Sequence, residues 1–151
     1  KEEILGKVSR TIPSMLDYKI HIDKESMFNT PPVFAVYTSM LTLEWLKQNG
    51  GIKSIEDKNI KKATLLYNAV DSNDLFTGFA EKEDRSLMNV TFNLSNKEHK
   101  EHFDKLCAEA NINGVNGHRS VGGYRASIYN ALELSSVKVL INVMNELKTK
   151  V

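Results

Sequence analysis

GHRSVGGYRASIYN, residues 117–130, sets two arginines six positions apart, with a histidine beside the first and two adjacent glycines between them. Arginine presents a planar fork that matches carboxylate or phosphate oxygens two at a time. His118 adds a donor whose charge is adjustable near neutral pH. Gly122 and Gly123 permit positive φ and close approach of backbone to a ligand. After them, Arg125-Ala126-Ser127-Ile128-Tyr129 reads as a short strand, so Arg125 projects from a rigid element. Two readings of these residues stand side by side: an anion site, or a glycine-turn hairpin whose arginines make ordinary surface ion pairs. A P-loop is excluded, because Gly123-Tyr124 stands where Lys-Ser/Thr is required.

The 151 residues are one domain's worth of chain. Twenty basic and nineteen acidic residues nearly cancel, so no global field draws in nucleic acid or an anionic membrane, and an anion site has to be local. A single cysteine, Cys107, excludes an internal disulfide and agrees with a reducing, cytoplasmic setting. It falls on the apolar side of a helix and reads as a core thiol. No apolar run approaches membrane-spanning length.

Taken in order, residues 1–28 show little sustained periodicity and read as an irregular lead, with the folded domain over 29–151. The first strong element follows Asn29-Thr30-Pro31-Pro32, where Thr30 is expected as N-cap and Pro31 as the first helical residue. Val33, Phe34, Val36, Tyr37, Met40, Leu41, Leu43 and Leu46 give that helix an apolar face wide enough for burial on more than one side, for example against a partner subunit. Its exposed donors and positive end make Asn29 and Thr30 a candidate phosphate site; capping alone explains Thr30 equally well. Asn49-Gly50-Gly51 ends the helix. A second is expected from Ile55 to Val70, capped by Ser54, with Lys58, Lys61 and Lys62 on a solvated face.

A short strand follows around Leu75–Phe79. From Ser86 to Leu94 the pattern turns to period two, with Met88, Val90, Phe92 and Leu94 facing one way. Ser95-Asn96-Lys97-Glu98 reads as a capping box before a helix carrying Phe103, Leu106, Cys107 and Ala110. His99 and His102 on that helix have no third ligand aimed at them, so no metal is expected. A short strand after Asn113-Gly114 leads into the arginine segment, and Val137, Leu140, Ile141, Met144 and Leu147 define a closing helix. The expected class is α+β, a small mostly antiparallel sheet covered by helices.

SMFNTPPVFAVYTSMLTLEWLKQNGG, LMNVTFNL and GHRSVGGYRASIYNALELSSVKVL together resemble the C-terminal part of the phosphoserine aminotransferases. The resemblance implies the small domain of the aspartate-aminotransferase-like architecture (fold type I), the cofactor pyridoxal 5'-phosphate, and a homodimer with active sites between domains and subunits. It implies transfer of an amino group between glutamate and 3-phosphohydroxypyruvate, giving phosphoserine and 2-oxoglutarate, in serine synthesis and, in bacteria, pyridoxine synthesis. By the same resemblance Asn29 and Thr30 match the pair on the cofactor phosphate across the dimer interface. Arg125 matches the arginine on the substrate α-carboxylate. His118 and Arg119 match the pair that reaches the distal phosphate or carboxylate from the neighbouring subunit. No lysine here matches the family's Schiff-base lysine, expected upstream, so this stretch alone is expected to be inactive. Two other readings remain: a free-standing α+β module binding a small anion or amino acid, and a dimerisation piece built on the helix after Pro31.

Overall fold

The computed structural model describes residues 2–119 and 122–151. The chain forms two compact units, one to Trp45 and one from Leu46 onward.

The first unit holds two single 3-10 turns at Glu2–Ile4 and Ser14–Leu16, a short helix α1 (Tyr18–Asp23), and most of the long helix α2 (Val33–Gln48). The segment expected to be irregular therefore carries short helical turns. Asp17 closes the start of α1 by accepting the Lys19 N–H at 3.0 Å, a local bond that a six-residue helix needs in the absence of a buried face. Helix α2 begins two residues later than expected. Pro31 and Pro32 precede it, and the Val36 N–H donates to the Pro32 carbonyl at 3.1 Å. Thr30 thus stands ahead of the cap position, because the fixed φ of two successive prolines sets the entry to the first turn.

None of the sixteen residues of α2 is buried, although Val33 is 66 % and Phe34 83 % exposed. Its polar residues do not offset this. Thr38, Ser39 and Thr42 turn their hydroxyls onto the carbonyls four residues back, at 2.8–2.9 Å, which satisfies them within the helix and leaves the surface apolar. Gly50 and Gly51, both at positive φ, end α2 and begin α3 (Gly51–Asp71). The second helix thus starts before Ser54, which lies inside it instead of capping it, since Gly50 already takes the left-handed N-cap position.

In the second unit α3 is followed by β1 (Phe76–Gly78), β2 (Asn89–Leu94), α4 (Lys100–Glu109), β3 (Tyr124–Ser127) and α5 (Leu134–Lys150). The three strands form one antiparallel sheet in the order β1-β2-β3, as expected. Asn96 caps the turn before α4 by accepting the Glu98 N–H at 3.0 Å and donating its amide to the Glu98 carboxylate at 3.1 Å. The cap is therefore Asn96 and not Ser95, and Glu98 meets its side-chain amide instead of the backbone N–H that the expected capping box requires. The strand expected after Gly114 reduces to one bridge between Asn116 and Tyr124, because Gly114 and the Asn111 left-handed turn bend the chain away from extended pairing.

Phe76, Val90, Phe92, Tyr124 and Ala126 point from the sheet into the core, where α3, α4 and α5 supply Leu66, Val70, Phe103, Leu106, Met144 and Leu147. Four rings make its centre. Phe103 stands edge-on to Phe76 and Tyr124 at 5.2 and 4.9 Å, and Phe92 stacks on Tyr124 at 5.4 Å, geometries favoured by the ring quadrupole. The Tyr124 hydroxyl donates to Asp104 at 2.8 Å; burial, and then the adjoining carboxylate, push its pKa up. Cys107 lies in the same core, its thiol pushed up to about 11 by burial, as an inert core thiol should be.

The other sheet face carries Thr77, Asn89, Thr91, Asn93, Arg125 and Ser127, of which Thr77, Arg125 and Ser127 are exposed. The loop between β1 and β2 is strapped to α3. Arg85 forms a bidentate pair with Asp71 at 2.7 and 2.8 Å, and its guanidinium lies over the Tyr67 ring at 4.5 Å. The pair holds the Asp71 carboxyl below its ordinary pKa, chiefly through the hydrogen bond from Arg85.

Candidate functional site

Arg125 sits in the middle of β3, opposite Thr91 of β2, and its own N–H donates to the Val115 carbonyl at 2.7 Å. The strand is therefore held on both edges, and alternation sends Tyr124 and Ala126 into the core and Arg125 out. Among the described residues no carboxylate pairs with the Arg125 guanidinium; Arg85, by contrast, is spent on Asp71. The fork is left available for an incoming anion.

The preceding loop is a narrow hairpin neck. The Gly117 N–H donates to the Gly123 carbonyl and the Gly122 N–H to the His118 carbonyl, each at 2.8 Å. This is the glycine-turn hairpin expected from the sequence. Among the described residues, however, no ion pair is formed by its arginines. Space dictates two of the glycines. A Cβ on Gly117 would lie 1.9 Å from the Gly122 carbonyl oxygen, and one on Gly123 would lie 2.1 Å from Asn93 Oδ1. Gly123 in addition adopts φ +65°, a conformation side chains resist. Gly117→Ala is accordingly expected to destabilise the chain by about 1–3 kcal/mol, the usual cost of overpacking, read as a lower urea midpoint. A midpoint equal to the parent's would mean the neck opens freely.

Gly117, His118 and Gly122 of this neck join Arg125, Thr91, Asn93 and Phe79 around a hollow of about 160 Å³. The structure thus brings His118 and Arg125 of one chain to the same hollow. Arg119 is exposed and is not part of its wall. Ser120 and Val121, within the quoted stretch, lie outside the described residues. A larger hollow of about 360 Å³ runs past residues 110–115 and α5, but it is lined without a single charged side chain. The smaller one counts an arginine and a histidine among its lining residues. Asn29 and Thr30 belong to the first unit; both are exposed, and the Asn29 amide reaches only the Met15 sulfur at 3.6 Å.

One lysine departs from its expected setting. Lys62, read as part of a solvated face with Lys58 and Lys61, is 2 % exposed. Its ammonium donates to the carbonyls of Ile128, Tyr129 and Leu132 at 3.1, 2.6 and 3.0 Å. The reason is its place on α3, in line with Ile55, Asn59, Ala63, Leu66 and Val70, all buried. Desolvation lowers its pKa from the ordinary lysine value.

A family model for the class-V aminotransferases matches residues 3–140. The phosphoserine aminotransferase of Flavobacterium psychrophilum is 64 % identical over 151 residues, all of this chain and 42 % of its own length. That of Porphyromonas gingivalis is 49 % identical over 152 residues, covering 99 % of this chain and 42 % of the relative. Among solved structures, the phosphoserine aminotransferase of Bacillus circulans subsp. alkalophilus superposes with a TM-score of 0.85 at 36 % identity, over 99 % of this chain and 42 % of that one. The PLP-bound phosphoserine aminotransferase of Trichomonas vaginalis superposes at 0.78 and 33 % identity, over 91 % of this chain and 40 % of its own. The chain therefore spans about two fifths of the length of the relatives it matches, and its fold is that of the matching part of these enzymes. Such a partial match along the whole chain does not favour a free-standing anion-binding module. The motifs quoted at the outset, the fold and these neighbours agree: the chain belongs to the class-V aminotransferase family.

Proposed function

We propose that this chain is the small-domain part of a phosphoserine aminotransferase, which transfers an amino group between glutamate and 3-phosphohydroxypyruvate. The observation that carries the reading is the Arg125 fork, exposed on a paired strand and without a carboxylate partner among the described residues, in a chain so similar to enzymes of that name. In this reading Arg125 grips the α-carboxylate that both amino-acid substrates share, and two parallel hydrogen bonds fix the direction of the Cα–H bond. His118 and Arg119 take the distal phosphate or carboxylate of the substrate bound to the neighbouring subunit.

Pyridoxal 5'-phosphate, when bound, supplies the carbonyl that accepts the amino group and the ring that withdraws electrons from Cα. The residues present suit its phosphate end. Asn29 and Thr30 carry an amide and a hydroxyl, are exposed, and precede the positive end of the sixteen-residue α2. The lysine that would link the cofactor lies, in this reading, outside the 151 residues. Lys62, although buried, is ruled out for that role because its ammonium is committed to three backbone carbonyls.

A homodimer is part of the proposal. A helix apolar on all sides is normally buried, and α2 leaves Val33, Phe34, Val36 and Leu43 all at 60 % exposure or more. Among the described residues no helix is long and apolar enough to cross a membrane, so a protein surface is the fitting cover. Phosphoserine production places the enzyme in serine synthesis in the cytoplasm, with pyridoxine synthesis as the second bacterial use.

The full-length protein containing this chain, loaded with pyridoxal 5'-phosphate, is expected to show visible cofactor absorbance and to convert phosphoserine with 2-oxoglutarate to 3-phosphohydroxypyruvate and glutamate. Turnover confined to unphosphorylated amino acids would refute the substrate assignment.

A further inference from the structure

The turn that follows β3 is built around a cation. After Ile128, whose N–H still donates to the Met88 carbonyl at 2.9 Å, the chain turns back so that the Leu132 N–H reaches the Tyr129 carbonyl at 2.9 Å. This turn aims the carbonyl oxygens of Ile128, Tyr129 and Leu132 at one point, and the Lys62 ammonium occupies it with three hydrogen bonds. An ammonium has three protons and no acceptor, so the match is complete. Without the charge, three carbonyl dipoles would converge on one point, the Ile128 carbonyl among them in a buried setting. One turn earlier on α3, Asn59 donates to the Asn130 side chain at 2.8 Å. Helix α3 therefore grips the residues just after β3 at two successive turns, and Arg125 lies three residues upstream of the first gripped carbonyl.

We propose that Lys62 is a positioning residue for substrate binding: its ammonium anchors the C-terminal end of β3 to α3 and so sets where the Arg125 guanidinium stands above the sheet. Backbone pairing with β2 and the burial of Tyr124 and Ala126 fix the register of the strand; the triple carbonyl clamp holds the chain immediately beyond its end, where that pairing stops. The inference rests on the reading of Arg125 as the carboxylate-binding residue.

In the full-length enzyme, Lys62→Met removes the charge while keeping an unbranched side chain of similar length. KM for phosphoserine and for glutamate is expected to rise together, on the order of tenfold, because misplacement of a clamp by a fraction of an ångström carries that cost. Retention of the cofactor, read from its visible absorbance, is expected to stay at the parent level. In a double-mutant cycle, Lys62→Met adds little to the KM already raised by Arg125→Lys, since both act through one guanidinium. A lower Tm with both KM values unchanged overturns the proposal, as does full additivity in the cycle. Should the Met variant not fold, Lys62→Leu, which also removes every donor, carries the same comparison, and wild-type KM values in it count equally against the clamp. If Arg125→Lys itself leaves KM unmoved, the reading of Arg125 fails. If it raises KM and the Lys62 variants do not, only the role of Lys62 fails.

Discussion

Arg125→Lys in the full-length enzyme is expected to raise KM for phosphoserine and glutamate by about 10- to 100-fold, and to lower kcat as well. The magnitude follows from hydrogen bonds to charged groups, worth about 1.5–3 kcal/mol net, with tenfold in affinity for each 1.4 kcal/mol. Lysine keeps the charge but exchanges a planar fork for a point, so attraction survives and alignment does not. Loss of alignment is what reaches kcat, because the Cα–H bond is then free to rotate away from the direction in which its proton leaves. The two substrates share only their α-carboxylate and amino ends, so equal losses for both identify the group that Arg125 holds. Steady-state kinetics with each substrate decides it. A rise confined to phosphoserine would move Arg125 to the phosphate, and unchanged constants for both would remove it from the site. Arg125 is exposed on a paired strand, so far-UV circular dichroism of the variant is expected to match the parent.

Phe103→Ala is expected to cost the 151-residue chain about 3–5 kcal/mol, the usual range for emptying a buried aromatic site. Phe103 is fully buried and lies edge-on to Phe76, Phe92 and Tyr124, so its removal opens the space between α4 and all three strands. The surrounding rings cannot close that space without abandoning their pairing geometry. Phe103→Leu keeps most of the volume and is expected to lose about 1.5 kcal/mol or less. Urea unfolding of the two variants separates the cases, and equal midpoints would show that ring packing is not what holds the sheet to its helices. Tyr124 ties this core to the site: its ring packs on Phe103 at 4.9 Å while the next residue along β3 is Arg125.

Local patterns carried a large part of this structure. Period-two alternation over Asn89–Leu94 placed β2 and its buried face, the paired glycines placed the end of α2 and the hairpin neck, and the helical spacing of Val137, Leu140, Met144 and Leu147 placed α5. These features depend on neighbours a few residues apart, which is the range over which a sequence can be read directly. Boundaries slipped where two local signals competed. Thr30 is a good cap in isolation, but two prolines after it delay the helix to Val33, and Gly50 claims the cap that Ser54 seemed suited to.

Lys62 shows where reading along the chain stops. Its position on the stripe of Ile55, Asn59, Ala63 and Leu66 was available from spacing alone, yet a lysine between two other lysines looks solvated until a partner for it is known. That partner is a set of carbonyl oxygens 66–70 residues away, and backbone carbonyls leave no trace in the identity of the residues that bear them. Residue types therefore determined which side chains have the chemistry to hold a carboxylate or a phosphate, and the alternation that turns Arg125 outward. Only the tertiary structure decided that Arg125 is without an acid partner among the described residues, that His118 lines the same hollow, and that a buried ammonium holds the chain just past the end of its strand, because each depends on which groups distant in sequence the fold brings together.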